Sequence, residues 1–176
     1  MADPRVAGYA EALFAVAAAE GDLSVVEDEL FGFAQALRSD DDLGSTLADR
    51  ALPMARRLQV VEDLLGARAS AVTTALVSMV VGAGRAAELP AIVDAMLERS
   101  AASRNKAVAT VRSAVDLTAD QSERLAAAIN TRTGRDVEVR VVIDPSVLGG
   151  VVTEIGDDII DGSVRRRLNQ LRESFR

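Results

Sequence analysis

The spacing of apolar residues changes near Arg104, and this change constrains the fold more than any other feature of the chain. Before Arg104, apolar residues recur every three or four positions, which is the period of a helix with one buried face. After it, apolar and polar residues alternate, which is the period of a half-buried strand. The sequence therefore predicts an α+β chain: an N-terminal six-helix bundle over residues 1–104, then a small mixed α/β C-terminal domain over residues 105–176.

Caps and glycines mark the helix ends in the first part. We expect Gly21 to end the first helix, the Ser39-Asp40-Asp41-Asp42 cluster to stop the second and cap a short helix near Leu43 to Leu47, and Pro53 to open another that Gly66 closes. The first helix has an apolar stripe of Val6, Tyr9, Ala10, Leu13, Phe14 and Ala17. The helix after Pro53 is expected to carry the apolar residues Met54, Leu58, Val61 and Leu65, and the sixth helix Leu89, Ile92, Val93, Met96 and Leu97.

The fifth helix, from about Ser70 to Val81, is apolar nearly all the way round and is broken by Gly82 and Gly84. A helix of that kind lies in the middle of a bundle or is covered by something else. Its residues are either core, or half of a groove that accepts an amphipathic helix of another protein. The stripe alone leaves both interpretations open.

The second part predicts strands around one helix. A strand is expected from Ala107 to Val115, and another from Val137 to Ile143. Thr118 with Gln121 forms a capping box for the helix between them, and Gly134 ends that helix. The rest predicts a turn at Asp144-Pro145-Ser146, a bend at Gly149-Gly150, a hairpin turning at Gly156-Asp157, and a last helix capped by Ser163.

Composition removes most catalytic chemistry. The chain has no His and no Cys, which excludes zinc sites, thiol nucleophiles and Ser-His-Asp triads and leaves only carboxylate chemistry or Mg²⁺ binding. With a net charge of −7, the protein has no non-specific electrostatic attraction to nucleic-acid phosphates or anionic lipid. The uncharged run from Ala69 to Gly84 is too short to span a bilayer, and no signal or transit peptide is visible. We expect a soluble protein without catalytic residues, cofactor, metal, nucleic-acid partner or direct bilayer insertion.

Several short motifs have a plain structural interpretation beside a functional one. Gly82-Ala83-Gly84-Arg85 lacks the spacing and the Lys-Ser/Thr pair of a phosphate loop, so a helix-ending turn is preferred. Asp40, Asp41 and Asp42 form a cap and solvated turn more readily than a cation site. Two alternative functions stay open: a carboxylate-dependent hydrolase around Asp157 and Asp161, and a helical adaptor whose Arg165–Arg167 helix binds RNA or an acidic protein.

The C-terminal quarter resembles the signature of the delta subunit family of F-type ATP synthases, called the oligomycin-sensitivity-conferring protein in mitochondria. The matching parts are Asp144-Pro145-Ser146, Leu148-Gly149-Gly150, Ile155-Gly156-Asp157, Ile160-Asp161-Gly162-Ser163-Val164 and Arg167-Leu168-Asn169-Gln170-Leu171. Near the other end, Tyr9-Ala10-Glu11-Ala12-Leu13-Phe14 is similar to the family's opening helix, although Glu11 stands where the family usually has a basic residue.

This resemblance implies a connector. Delta subunits bind no nucleotide, perform no chemistry, and tie the catalytic head of the synthase to its peripheral stalk on the cytoplasmic face of the bacterial plasma membrane. Their first and fifth helices hold N-terminal segments of the alpha subunits, which here implies Tyr9, Leu13, Leu76, Met79 and Val80. Their C-terminal domain holds the b subunits, which implies a stalk-side or structural set of Gly149, Gly150, Asp161, Gly162, Arg166, Arg167 and Leu168.

Overall fold

The computed structural model describes residues 3–104, 106–147, 149–156 and 158–164. The chain divides into two compact units, Met1–Ser100 and Ala101–Arg176. Across the described residues it is an α+β protein with seven α-helices and one four-stranded sheet.

Helices make up the first unit. They run over Pro4–Glu20 (α1), Leu23–Ser39 (α2), Asp41–Ala48 (α3), Met54–Leu65 (α4) and Ala71–Gly82 (α5), and α6 (Leu89–Ser103) begins in this unit. A 3₁₀ turn at Ala86–Glu88 comes directly before α6 and has no counterpart in the sequence prediction. Helix α1 packs against α2 and α5, and α4 packs against α5.

The local signals of the sequence set the helix ends. Gly21 is the C-terminal cap of α1, and Gly66 is that of α4. The Asp40 carboxylate caps α3 by accepting a 3.0 Å hydrogen bond from the backbone N–H of Leu43. Ser70 caps α5 in the same way through Thr73. The predicted helix ends are thus confirmed at these positions. They could be predicted because a cap acts on backbone groups within a few residues of itself.

The core of the first unit is aliphatic. All five apolar residues predicted for α6 are buried, as are Leu76, Val77, Val80 and Val81 of α5. Met54, one of the four apolar residues expected on α4, does not join this core, since its side chain is 53% exposed. Met54 is the first residue of α4, so it lies at the edge of a buried face that Arg57, Val61 and Leu65 fill.

The second unit contains one sheet and one further helix. Its elements are β1 (Ala107–Ser113), α7 (Ala119–Thr133), β2 (Val137–Ile143), β3 (Val151–Ile155) and β4 (Asp158–Asp161). The strand order is β2-β1-β3-β4. Strands β1 and β2 are parallel, with Ala107 opposite Val137, and the other neighbours are antiparallel. Helix α7 connects the two parallel strands, which a hairpin turn cannot do.

A small core joins α7 to the sheet. Ala109, Ile129, Val137 and Ile155 are buried together. The capping box of Thr118 and Gln121 begins α7, and Gly134 ends it with a left-handed φ of 68°. One sequence expectation is corrected here: strand β1 ends at Ser113 and leaves Val115 exposed. Edge strand β2 exposes Ile143 and buries Arg140. The predicted last helix after Ser163 lies almost wholly outside the described residues.

Candidate functional site

The predicted head-binding residues on α1 and α5 separate into core and surface. Leu13, Leu76 and Val80 are buried, whereas Tyr9 is partly buried and Met79 is 44% exposed. A buried side chain contacts a partner only after the unit repacks, which a close-packed core resists. Tyr9 and Met79 are therefore the members of the predicted set that a partner reaches directly, and the other three support the surface from beneath.

The outward faces of both helices have small side chains. On α5, Ala71, Ala75 and Met79 are exposed at four-residue intervals. On α1, the exposed positions include Gly8, Ala12, Ala15 and Ala19, again one helical turn apart. Small residues allow another helix to come close, because the distance between packed helices depends on the side chains at the contact. These alanines were not predicted from the sequence, although their spacing of three or four positions was a readable signal.

An ion pair borders the exposed face of α1. The carboxylate of Glu11 accepts hydrogen bonds of 2.7 and 3.3 Å from the guanidinium of Arg99 on α6. These bonds and the positive charge of Arg99 hold the pKa of Glu11 below its ordinary value. The Arg99 guanidinium also lies 5.9 Å from the centre of the Phe14 ring. The acid at position 11 is thus matched by a cation within the same unit.

A carboxylate on α2 anchors the start of α5. Glu29 accepts hydrogen bonds from the Ser70 backbone N–H at 2.9 Å, the Ser70 hydroxyl at 2.8 Å and the Thr73 hydroxyl at 2.5 Å. Burial raises the pKa of Glu29, but the hydrogen bonds from Thr73 and Ser70 outweigh burial and leave the pKa below its ordinary value. The N-terminal end of α5 therefore has a fixed position on α2.

A buried cation lies at the other end of α5. Arg57 of α4 is only 8% exposed, and its Nη1 donates to the carbonyls of Val81 at 3.4 Å and Leu47 at 3.5 Å. These carbonyls belong to the last turns of α5 and α3, where the helix dipole favours a positive charge. Its Nε has no hydrogen-bond partner within the described part of the chain. Nothing in the sequence pattern indicated this arginine, since it occupies an apolar position of α4.

In the second unit, the C-terminal signature brings its glycines together. Gly149 and Gly150 have positive φ values of 72° and 76°. A Cβ on Gly150 would lie 2.6 Å from the carbonyl oxygen of Gly162. The Gly162 N–H donates to Val151 at 2.9 Å, and the Val164 N–H donates to Gly149 at 3.1 Å. Because they have no Cβ, these glycines allow the backbone at Gly149 and Gly150 to pass close to the backbone at Gly162, an arrangement that we call the glycine crossing. Leu148, Arg166, Arg167 and Leu168 lie outside the described residues.

The carboxylates of this signature hold turns. Asp144 accepts a 2.9 Å hydrogen bond from the Ser146 N–H, and Asp161 accepts one of the same length from the Ser163 N–H. Hydrogen bonding to Ser146, with a smaller effect of the Arg112 charge, holds the pKa of Asp144 below its ordinary value. Both aspartates line a cleft of about 180 Å³ together with Arg112, Ser146, Val147, Val152 and Ser163.

These contacts weaken the case for a hydrolase. Asp161 stabilises a turn by accepting from the Ser163 N–H, and Asp157 lies outside the described residues. Within the ranges that the structure describes, Asp and Glu side chains do not gather in groups of three that could hold a metal ion. The same part of the chain has no helix long and apolar enough to cross a membrane. The Arg165–Arg167 segment of the RNA-adaptor hypothesis also lies outside the described residues.

A protein-family model described as ATP synthase delta (OSCP) subunit matches residues 6–175. The chain belongs to this delta (OSCP) family. Relatives named ATP synthase subunit delta include proteins of Nocardia farcinica, 42% identical over 99% of this chain, and Salinispora tropica, 38% identical over 93%. The chain spans 65% and 60% of the lengths of these two delta subunits.

A chain of a solved structure shares the fold of this protein. A chain in the cryo-EM structure of the Toxoplasma gondii mitochondrial ATP synthase hexamer aligns with a TM-score of 0.59 and 22% sequence identity, over 98% of each chain. At that identity the likeness concerns the fold. The match of the family model to residues 6–175 takes in both the α1 and α5 helices and the glycine crossing of the second unit.

Proposed function

We propose that this protein is a non-catalytic stator subunit of a proton-translocating F-type ATP synthase. It links the top of the catalytic head of alpha and beta subunits to the peripheral stalk of b subunits, so that rotor torque is used for ATP synthesis. The observation that carries the proposal is the match to the delta (OSCP) family over residues 6–175. As part of that assembly, the protein is a peripheral protein on the cytoplasmic face of the bacterial plasma membrane.

Each domain has its own partner in this proposal. Residues 1–104 form the six-helix bundle that binds N-terminal segments of the alpha subunits, and residues 105–176 bind the b subunits. An amphipathic helix is the occupant that best fits the first surface, since α1 and α5 both expose small apolar residues and α5 also exposes Met79. The anchored ends of α5, at Glu29 and Arg57, support the proposal because a preorganised surface loses less free energy on binding.

Two attachment points in one chain explain how modest contacts resist torque. When one domain is bound, the other is held at a high effective concentration near its partner, so the joined contacts last longer than either alone. A head free to turn with the rotor would dissipate the torque. The proposed role therefore requires binding at both ends and no chemistry at either.

Calorimetric titration of the full chain tests the head contact. The probe is a synthetic peptide of the N-terminal segment of the alpha subunit from the same organism. Met79→Asp introduces a charge on the exposed face of α5 and is expected to weaken binding by about tenfold or more. Val25→Asp is the matched control, because Val25 of α2 has a similar exposure of 43% and lies on neither α1 nor α5. Equal affinities of both variants and the unchanged chain would remove the proposed surface.

The stalk contact is tested separately with a soluble fragment of the b subunit. A chain truncated after Gly162 lacks the end of the C-terminal signature and is expected to lose this fragment while it still binds the alpha-subunit peptide. Retention of the b fragment would disprove the assignment of the second domain.

A further inference from the structure

The sulfur chemistry of this chain is confined to methionine. The chain has no cysteine and four methionines, at positions 1, 54, 79 and 96. Among the described three, Met54 and Met79 are 53% and 44% exposed, whereas Met96 is fully buried in α6. Oxidation by a hydroperoxide follows exposure, since the oxidant must reach the sulfur atom. The structure therefore divides the methionines into an exposed pair and a protected one.

The exposed pair lies around one residue of α5. The sulfur of Met54 lies 3.9 Å from the point that a Cβ on Gly82 would occupy. Met79 precedes Gly82 by three positions on the same helix, and residues at that spacing are neighbours on a helix surface. Met54 therefore extends the exposed apolar surface of α5 past Gly82 onto the first turn of α4. Flexible thioether side chains suit such a surface because they adapt to the shape of an apolar partner.

We propose that Met54 and Met79 are oxidation sites that regulate partner binding at this surface, an inference that rests on the proposed function. A hydroperoxide transfers one oxygen atom to the sulfur. The O–O bond breaks, an S–O bond forms, the thioether is oxidised by two electrons to the sulfoxide, and the peroxide is reduced to water or an alcohol. The sulfoxide is polar, and an apolar partner helix would desolvate it without supplying a hydrogen bond. Oxidation of the pair thus releases the partner.

The order of oxidation is the first test. The full chain is treated with hydrogen peroxide, the peroxide is removed, and the methionine-containing peptides are quantified by mass spectrometry at successive times. Met54 and Met79 are expected to become sulfoxides well before Met96. Similar rates at all three positions would overturn the inference, because the reaction would then not report the exposed surface.

Binding is the second test. The probe is the alpha-subunit N-terminal peptide, with any methionine in it replaced by norleucine and never exposed to peroxide. Treated protein is expected to bind it about tenfold or more weakly than untreated protein, and methionine sulfoxide reductases with dithiothreitol are expected to restore the affinity. Circular dichroism of the treated protein must match that of the untreated protein. A loss of helix content would attribute the effect to unfolding and overturn the inference.

Variants distinguish this surface from other targets of peroxide. In a Met54→Leu, Met79→Leu double variant, treated and untreated samples are expected to have the same affinity, whatever that affinity is. If peroxide still weakens its binding, another residue is responsible and the inference fails. If oxidised unchanged protein binds as well as before, the inference fails and the proposed function stands. Absence of binding by the untreated protein would overturn the proposed function, and this inference with it.

Discussion

The hydroxyl of Thr73 donates a 2.5 Å hydrogen bond to a carboxylate oxygen of Glu29, and this contact joins the first turn of α5 to the middle of α2. The two residues are 44 positions apart in the chain. Thr73 is fully buried, so its hydroxyl has no access to water as an alternative partner. The stability of the first unit and the position of its exposed α5 face therefore depend on the same hydrogen bond.

Thr73→Val removes this bond while it keeps the shape of the side chain. The substitution deprives a partly buried carboxylate of one donor, so we expect the free energy of unfolding to fall by about 1–3 kcal/mol. Urea unfolding followed by circular dichroism measures the change. Thr74→Val is the control: the Thr74 hydroxyl donates to the carbonyl of Ser70, the cap of its own helix, and we expect a change within about 0.5 kcal/mol. Equal losses for both variants would contradict the assigned role of Thr73.

Acid should weaken this contact. The pKa of Glu29 in the folded chain is below its ordinary value of 4.5. A lowered pKa means that the carboxylate contributes stability that is fully present above the unfolded value and is lost as the pH falls through the folded pKa. We therefore expect the stability difference between the unchanged chain and Glu29→Gln to be large at about pH 7 and to shrink toward about pH 3. Urea unfolding at both pH values decides this, and a constant difference would count against it.

The glycine crossing in the second unit should tolerate no side chain. Gly150→Ala imposes a left-handed φ on alanine, at roughly 1–2 kcal/mol, and also forces its Cβ toward the carbonyl of Gly162. With an overpacking cost of about 1–3 kcal/mol, we expect a loss of roughly 2–5 kcal/mol. Gly134→Ala is the matched control, since Gly134 has a similar φ of 68° but open space where the Cβ would lie. In thermal unfolding, Gly150→Ala should melt at a clearly lower temperature than Gly134→Ala. Equal melting temperatures would mean that the backbone around Gly150 has room for a side chain.

Arg57 is expected to stabilise the first unit although its charge is buried. Arg57→Ala removes the packing of the buried stem and leaves the carbonyls of Leu47 and Val81 without this donor. We expect a loss of about 2–4 kcal/mol, partly recovered by Arg57→Lys, which keeps the positive charge at the ends of two helices. Arg56→Ala, at the exposed position next in sequence, should change stability by no more than about 0.5 kcal/mol in the same unfolding assay. A neutral Arg57→Ala would show that the buried guanidinium has no net stabilising role.

The helices of the first unit were predictable because their signals are local. A cap such as Asp40, or a terminating glycine such as Gly21, acts on backbone groups within one turn of itself. The same holds for Gly134 at the end of α7. The sequence did not predict the order of the strands within the sheet. The parallel pairing of β1 with β2 and the central position of β1 depend on contacts between distant segments.

The candidate site stays a prediction, and only part of it lies at the surface. The resemblance to the delta family pointed to Leu13, Leu76, Met79 and Val80 on two helices, but it did not tell which of them the core would cover. Met79 is exposed and Leu76 is buried, although both are apolar and three positions apart on α5. Met54 and Arg57 depart from the apolar pattern of α4 for reasons of position in the fold. Met54 is exposed because it is the first residue of its helix. Arg57 is buried because its guanidinium donates to carbonyls at the ends of α3 and α5.

By itself, the sequence determined the order of helices and strands along the chain, most of the helix ends, and the absence of thiol and imidazole chemistry, because these follow from residue type and from interactions a few positions long. The tertiary structure alone decided that Glu29 holds the start of α5, that Gly150 and Gly162 come into contact, and that Met54 lies beside Gly82. Each of these pairs is brought together by packing between separate elements, and the spacing of residues along a chain has no information about which elements meet.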